Sequence, residues 1–210
     1  MFTGIIEEIG KISRIERSGD IKRFTIYAPK ISGENKKGDS ISVDGVCLTV
    51  TETEKEHFKV ELVEETLRRT TLAAVQETQS VNLERALTPS DRLGGHILTG
   101  HIDGIGQIVA KRGSDTFSLE IEVPSSLMKY IIPNGSIGVD GISLTVREVE
   151  ESSFILSIIP YTASCTTIGT KKVNDRVNLE TDIFAKYVER IFYEQKESIT
   201  VDFLKEKGFL

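Results

Sequence analysis

The sequence predicts an all-β protein made of two copies of one closed domain, followed by an amphipathic helix. Three observations carry that reading. A shift of 96 residues lays Thr3-Gly4 on Thr99-Gly100, Ser40-Ile41-Ser42-Val43-Asp44-Gly45 on Ser136-Ile137-Gly138-Val139-Asp140-Gly141, and Val81-Asn82-Leu83-Glu84 on Val177-Asn178-Leu179-Glu180. Leu48-Thr49-Val50 and Thr70-Thr71 fall on Leu144-Thr145-Val146 and Thr166-Thr167 in the same way, far more identity at one offset than composition supplies. Within each copy, short β-branched and aromatic runs are broken by turn residues. After Asp182 the apolar period changes from that of strands to that of a helix.

In the first copy, strands are expected over Phe24 to Tyr27, Ser40 to Val43, Cys47 to Thr51, Phe58 to Val63 and Ser80 to Glu84. Asp44-Gly45 and Asp140-Gly141 lie between paired apolar runs, where a positive backbone angle suits a two-residue hairpin turn. The copies lose register near Pro29 and Pro124 and regain it before Ser40 and Ser136, so a surface loop differs there. Thr88-Pro89-Ser90-Asp91-Arg92-Leu93-Gly94-Gly95 breaks both helix and strand and reads as the linker. The domains are therefore expected at residues 1–96, 97–182 and 183–210. In the last of these, Ile183, Phe184, Tyr187, Val188, Ile191 and Phe192 recur at helical spacing, with Asp182 as N-cap. A second short helix is expected from Val201 to Lys207, ended by Gly208. Because the long helix lies outside the repeat, its apolar stripe is read as packing across the barrels or joining subunits, with the second reading favoured because nothing in the repeat needs covering.

The chain has 210 residues, a hydrophobic fraction of 39% and a net charge of -6, which suits two small cores and argues against a nucleic-acid surface. Lys36-Lys37 and Lys171-Lys172 read as solvated turn charges. With no secretory pattern and no membrane-length apolar run, a cytosolic protein is expected, in which Cys47 and Cys165 remain free thiols.

The informative positions are those where the copies disagree. Ile5 matches His101, and Cys47 matches Ser143. Two pockets on one frame thus carry different reactive groups, as two identical ligands in unlike roles would require. A histidine that replaces isoleucine beside a shared Thr-Gly pair is a candidate for proton transfer. His96, in Gly94-Gly95-His96, reads by itself as an exposed linker residue, and His57 as surface. Three histidines without further ligands at metal spacing leave no metal site expected. Cys47 is either a small buried thiol or a nucleophile, whereas Cys165, opposite Arg69, reads as structural. Glu64-Glu65 reads as a solvated strand edge, since adjacent strand residues face opposite ways.

Met1-Phe2-Thr3-Gly4-Ile5, Ser40 with Cys47-Leu48-Thr49-Val50, Gly94-Gly95-His96, Thr99-Gly100-His101 and Asp140-Gly141-Ile142-Ser143-Leu144-Thr145-Val146 closely resemble the riboflavin synthase family. The resemblance spans the whole chain. It implies two tandem six-stranded antiparallel Greek-key barrels and a C-terminal helix that assembles a homotrimer. It also implies the family's reaction, dismutation of two 6,7-dimethyl-8-ribityllumazine molecules by four-carbon transfer, without metal or cofactor. The reacting pair would lie between the first barrel of one subunit and the second barrel of its neighbour, and association with lumazine synthase is a further implied partnership.

Carried onto this chain, the resemblance gives the first barrel a ligand frame of Gly4, Ile5, Ile6, Cys47, Leu48 and Thr49, with the run Glu61, Leu62, Val63, Glu64, Glu65 and Thr66. The second barrel receives Gly100, His101, Ile102, Ser143, Leu144 and Thr145, with Ser157, Ile158, Ile159, Pro160, Tyr161 and Thr162. Ser40, Cys47, His96, His101, Ser143 and Asp182 occupy positions linked to catalysis. On this reading His101 moves protons in the second barrel with Ser143 beside it, Cys47 acts with Ser40 in the first, and Asp182 orients a histidine or caps the helix. Two positions depart from the family's pattern: Asp44 replaces a common asparagine and is expected only to keep its turn, and Asn134 replaces a basic ligand contact. The alternative is a non-catalytic lumazine- or flavin-binding protein of the same fold. A flavin oxidoreductase would need a Gly-rich nucleotide-binding turn, and the sequence shows none.

Overall fold

The computed structural model describes residues 1–196, 205 and 208. The short helix expected from Val201 to Lys207 lies outside the described residues except for Lys205. The first barrel contains β1 (Glu8–Ser18), β2 (Ile21–Tyr27), β3 (Ser40–Val43), β4 (Val46–Thr53), β5 (His57–Val63) and β6 (Ser80–Arg85), with helix α1 (Glu64–Arg69) between the last two. The second contains β7 (Gly104–Gly113), β8 (Phe117–Glu122), β9 (Ser136–Val139), β10 (Ile142–Val149), β11 (Ser153–Ile158) and β12 (Arg176–Thr181). Helix α2 (Ser125–Met128) follows β8, α3 (Pro160–Cys165) follows β11, and α4 (Ile183–Lys196) follows β12.

Each set of six strands closes into an antiparallel barrel, in the order β1-β2-β5-β4-β3-β6 and its counterpart β7-β8-β11-β10-β9-β12. Closure removes the exposed edges that a small open sheet would leave. Bulges interrupt β1 after Ile12 and β7 after Ile108, and β4 and β10 carry another matched pair, which supplies the curvature that closure needs. The two interiors are filled by matched side chains: Ile12 and Ile108, Ile41 and Ile137, Val50 and Val146, Phe58 and Phe154, Leu83 and Leu179 are all buried. The repeat in the sequence is therefore a repeat of core positions.

Asp44-Gly45 and Asp140-Gly141 form the expected hairpin turns, with φ of 45° and 82° in the first and 45° and 78° in the second. The two turns meet back to back. A Cβ on Gly45 would lie 2.7 Å from the Gly141 nitrogen, so glycine is required here by proximity as well as by conformation. Around this contact the barrels exchange hydrogen bonds crosswise. Asn82 Nδ2 donates to Asp140 O at 2.9 Å and its Oδ1 accepts from Thr167 N at 2.8 Å, while Asn178 Nδ2 donates to Asp44 O at 2.8 Å and its Oδ1 accepts from Thr71 N at 2.7 Å. Both asparagines are fully buried.

Asp182 caps α4 as expected, its Oδ1 accepting from Phe184 N at 2.9 Å. The helix is held on the second barrel by Lys186, whose Nζ is 2.6 Å from Asp103, and by Glu189, which bonds to Lys129 and Tyr130. Phe184, Tyr187, Val188, Ile191 and Phe192 face outward.

Replacing Asn178 by alanine strands the Thr71 N–H and the Asp44 carbonyl, and should lower stability by about 2 to 5 kcal/mol. Equilibrium denaturation of Asn178→Ala checks this, and an unchanged midpoint would show that the crosswise bonds are not part of the scaffold.

Candidate functional site

The shared Thr-Gly pairs are tied down by the shared glutamates at the ends of β6 and β12. Thr3 N and Oγ1 donate to Glu84 Oε1 at 2.6 and 2.7 Å, and Gly4 N donates to Oε2 at 3.0 Å. In the second copy Thr99 N and Oγ1 both reach Glu180 Oε1 at 2.6 Å, and Gly100 N reaches Oε2 at 3.0 Å. Burial pushes both glutamate pKa values up, against the pull of those hydrogen bonds.

From these anchors each loop crosses to the opposite barrel. Phe2 and Leu98 pair antiparallel at the crossing, with Phe2 N to Leu98 O at 2.8 Å. Gly4 O accepts from Ser143 N of the second barrel, and Gly100 O accepts from Cys47 N of the first, each at 2.9 Å. A Cβ on Gly100 would sit 2.4 Å from Cys47 Cβ, and one on Gly4 would sit 2.5 Å from Ser143 N. Only glycine lets the backbones pass so closely.

This crossing corrects the expected ligand frames. Gly100, His101 and Ile102 line a cavity of about 240 Å³ together with Val46, Cys47, Val63, Glu65, Thr66, Arg69 and Thr70 of the first copy. His101 therefore belongs with Cys47, and not beside Ser143 as the repeat alone suggests. In exchange, Gly4 lies against Ser143, bringing the Gly4–Ile6 loop to the second barrel. Ser143 finds its imidazole in His96, whose Nδ1 is 2.6 Å from Ser143 Oγ. The expectation of an exposed linker histidine fails because the loop pairs with the N-terminal segment, His96 N donating to Thr3 O at 3.2 Å. His96 Nε2 is buried and has no partner among the described residues. Burial lowers the His96 pKa, and the Asp182 carboxylate opposes that shift. Asp182 thus acts both as helix cap and as a charge near His96.

The remaining candidates separate by face. Cys47 is half-buried and Thr49 exposed on the outer face of β4, where Ser42 and Ser40 are their cross-strand partners. Ser40 itself lines a larger neighbouring cleft of about 780 Å³ with Thr3, Ile5, Glu84, Arg85 and Arg92. Thr145 is exposed on the matched face of β10. Leu48, Leu62, Leu144 and Ile158 point into the barrel cores, so they shape the pockets through their backbone. Glu64 and Glu65 do not form a strand edge. They open α1, pairing with Arg68 at 3.3 Å and Arg69 at 3.9 Å, an i to i+4 arrangement that a helix start favours. Glu61 is held by Arg23 at 2.5 Å, and the exposed Ser157 hydroxyl accepts from Arg147 at 3.4 Å. Pro160 opens α3, beside exposed Ile159 and Tyr161, and Thr162 O accepts from Thr166 Oγ1 at 2.7 Å. Asn134 is exposed in a turn at φ 63°, a conformation asparagine tolerates.

Sequence reasoning missed four positioning residues, Asn82, Asn178, Glu84 and Glu180. Their signal was present as identities between the copies. Among the described residues no group of side chains could hold a metal ion, and no helix is long and apolar enough to cross a membrane.

Fold and site define a tandem-barrel protein whose two halves exchange loops, with a cavity around Cys47 lined from both of them. The model of the lumazine binding domain matches residues 3–86 and again residues 99–182. Over the full length of both chains, the sequence is 45% identical to riboflavin synthase of Actinobacillus pleuropneumoniae and 39% identical to that of Bacillus subtilis. A crystal structure of LumP complexed with riboflavin superposes with a TM-score of 0.81 at 27% identity, covering 86% of this chain and 99% of that one. LumP complexed with 6,7-dimethyl-8-(1'-D-ribityl) lumazine gives 0.78 over the same shares, 86% and 99%. The chain belongs to the riboflavin synthase family, an enzyme family built on two lumazine-binding domains.

Because its folded pKa is lowered, the neutral His96 contributes stability that is complete above the ordinary value of 6.5 and is lost as pH falls through the shifted one. An NMR titration should place His96 below 6.5 in the folded protein. A value at or above it would contradict the buried Ser143 contact.

Proposed function

We propose that this chain catalyses the dismutation of two 6,7-dimethyl-8-ribityllumazine molecules to riboflavin and 5-amino-6-(D-ribitylamino)uracil. The observation that carries the proposal is one loop crossing repeated with unlike reactive pairs, Cys47 with His101 and Ser143 with His96. A four-carbon unit leaves one lumazine and joins the other, so atoms and electrons balance between the two substrates. No outside oxidant or reductant enters.

The first step asks for a proton from the C7 methyl group, whose anion is delocalised through the ring to the carbonyl oxygens. His101, exposed at the mouth of the Cys47 pocket, takes that role, a contribution of about 10² to 10⁴ in rate. Cys47 supplies a nucleophile or hydrogen-bonding group at C7 of the same ring. In the other pocket His96 holds Ser143 through Nδ1 and remains neutral, so the pair can accept or return a proton during the transfer. Most of the acceleration comes from holding two flat molecules in register, which can remove several kcal/mol of barrier.

The Cys47 cavity of about 240 Å³ is open and small for a ribityl-bearing bicycle. A second subunit completes it in this reading. The outward stripe of α4 supplies the contact, each large side chain contributing about 1.5 to 3 kcal/mol on burial. The segment 183–210 then serves trimerisation, while residues 1–96 and 97–182 carry the barrels. A cytoplasmic location suits free Cys47 and Cys165.

The purified protein should convert the lumazine alone to riboflavin in the presence of a chelator. Binding without turnover would favour the non-catalytic alternative, which the LumP superposition keeps in view. Truncation after Asp182 should leave folded barrels that bind lumazine with turnover reduced far more than binding. A fully active monomer would refute the intersubunit site.

A further inference from the structure

The contact between the barrels buries charges that neither pocket uses. Asp44 and Asp140 open the two back-to-back turns and are 4% and 0% exposed. Each has one oxygen satisfied within its own barrel, Asp44 Oδ1 by Asn82 N and Asp140 Oδ1 by Asn178 N, both at 2.7 Å. Among the described residues one cation reaches this place. Lys171 Nζ lies 2.8 Å from Asp140 Oδ2, its side chain only 16% exposed, so it is not the solvated turn charge expected from Lys171-Lys172. It also donates to Arg176 O at 3.0 Å. The matched residue in the first copy is Val75, which is buried and uncharged. A site with nearly two-fold symmetry thus has two carboxylates and a single lysine.

We propose that Lys171 is a positioning residue for both pockets, holding the Asp44 and Asp140 turns together and thereby fixing the register of one barrel on the other. The link to the pockets is short. Three residues beyond each aspartate, on β4 and β10, stand Cys47 and Ser143, whose N–H groups donate to Gly100 O and Gly4 O across the interface. A slip between the turns lengthens both of those bonds and displaces both crossing loops. Its effect on turnover rests on the function proposed above, whereas its effect on register does not.

One lysine neutralises one carboxylate, so the interface is neutral when Asp44 carries a proton. Burial and the Asp140 charge push Asp44 up to about 8, with Lys171 and the Asn82 N–H pulling the other way. The Lys171 ammonium contacts Asp140, and against the opposing effect of burial its pKa is held up by the charges of Asp140, Asp44 and Asp175. Below about pH 8 the docked barrels hold this proton, and Asp44 releases it on meeting water. Docking is therefore strongest at acid pH and weakens as pH rises through the range between the ordinary aspartate value of 3.8 and about 8.

The test is hydrogen exchange on the full-length protein, read as protection at the Cys47 and Ser143 amides, alongside KM and kcat for the lumazine between about pH 6 and 9. Lys171→Met should lose about tenfold or more of protection at both amides, raise KM, and extend the alkaline loss to higher pH, since Lys171 holds the Asp44 pKa down. Lys171→Met/Asp140→Asn removes the uncompensated charge and should restore protection, and it carries the test if the single variant does not fold. Asp44→Asn should flatten the pH dependence. Wild-type protection in Lys171→Met, or a folded double variant still unprotected at both amides, would overturn the proposal, as would an unchanged pH profile in Asp44→Asn. Absence of riboflavin formation with the exchange pattern intact would instead remove the proposed reaction and leave the positioning role standing.

Discussion

The structure depends on one constraint: two backbone loops must cross between two barrels at a distance that admits no side chain. Gly4 against Ser143 and Gly100 against Cys47 are the places where this is met. Everything nearby serves the crossing. Glu84 and Glu180 grip the loops from their own barrels, Asn82 and Asn178 tie each barrel to the turn of the other, and Gly45 and Gly141 allow the turns to touch. Each bond occurs twice, related by the shift in the sequence, so a single set of interactions secures two equivalent crossings.

On this matched scaffold the chemistry is unmatched. Exchange of loops places the second copy's His101 in the first copy's Cys47 pocket, and the linker's His96 beside the second copy's Ser143. The dismutation proposed for this chain needs this inequality, since one substrate gives up the carbon unit that the other accepts. Both loop crossings depend on both halves of the chain, so divergence in either copy alters the surroundings of Cys47 and of Ser143 together. Glu84 and Glu180 are removed from water with partners holding both carboxylate oxygens, whereas His96 is held through Nδ1 alone.

Much of the fold was legible because core positions repeat and because turn residues punctuate short strands. The strands from Phe24 onward, both hairpin turns and the Asp182 cap appear where expected. Strands β1 and β7 left a weaker signal. Gly10 and Gly106 sit inside them because a Cβ would strike Leu83 at 2.4 Å and Ile121 at 2.7 Å, and glycine lowers the strand propensity that a reader relies on. The site was legible as a set of residue types but not as a set of neighbours. A repeat invites grouping each loop with its own copy, and the crossing reverses that grouping without leaving any mark in composition or period. Lys171 was hidden for a related reason. A lysine before another lysine in a polar turn reads as solvated, and only its approach to Asp140 shows that it is buried charge.

The central claim is that each ligand pocket is shared between the two halves of the chain. Following backbone amide shifts while titrating the full-length protein with riboflavin tests it directly. The crossing predicts that Cys47 responds together with Gly100, His101 and Ile102, and that Ser143 responds together with Gly4, Ile5 and Ile6. Responses grouped the other way, Cys47 with Gly4 to Ile6 and Ser143 with Gly100 to Ile102, would contradict it.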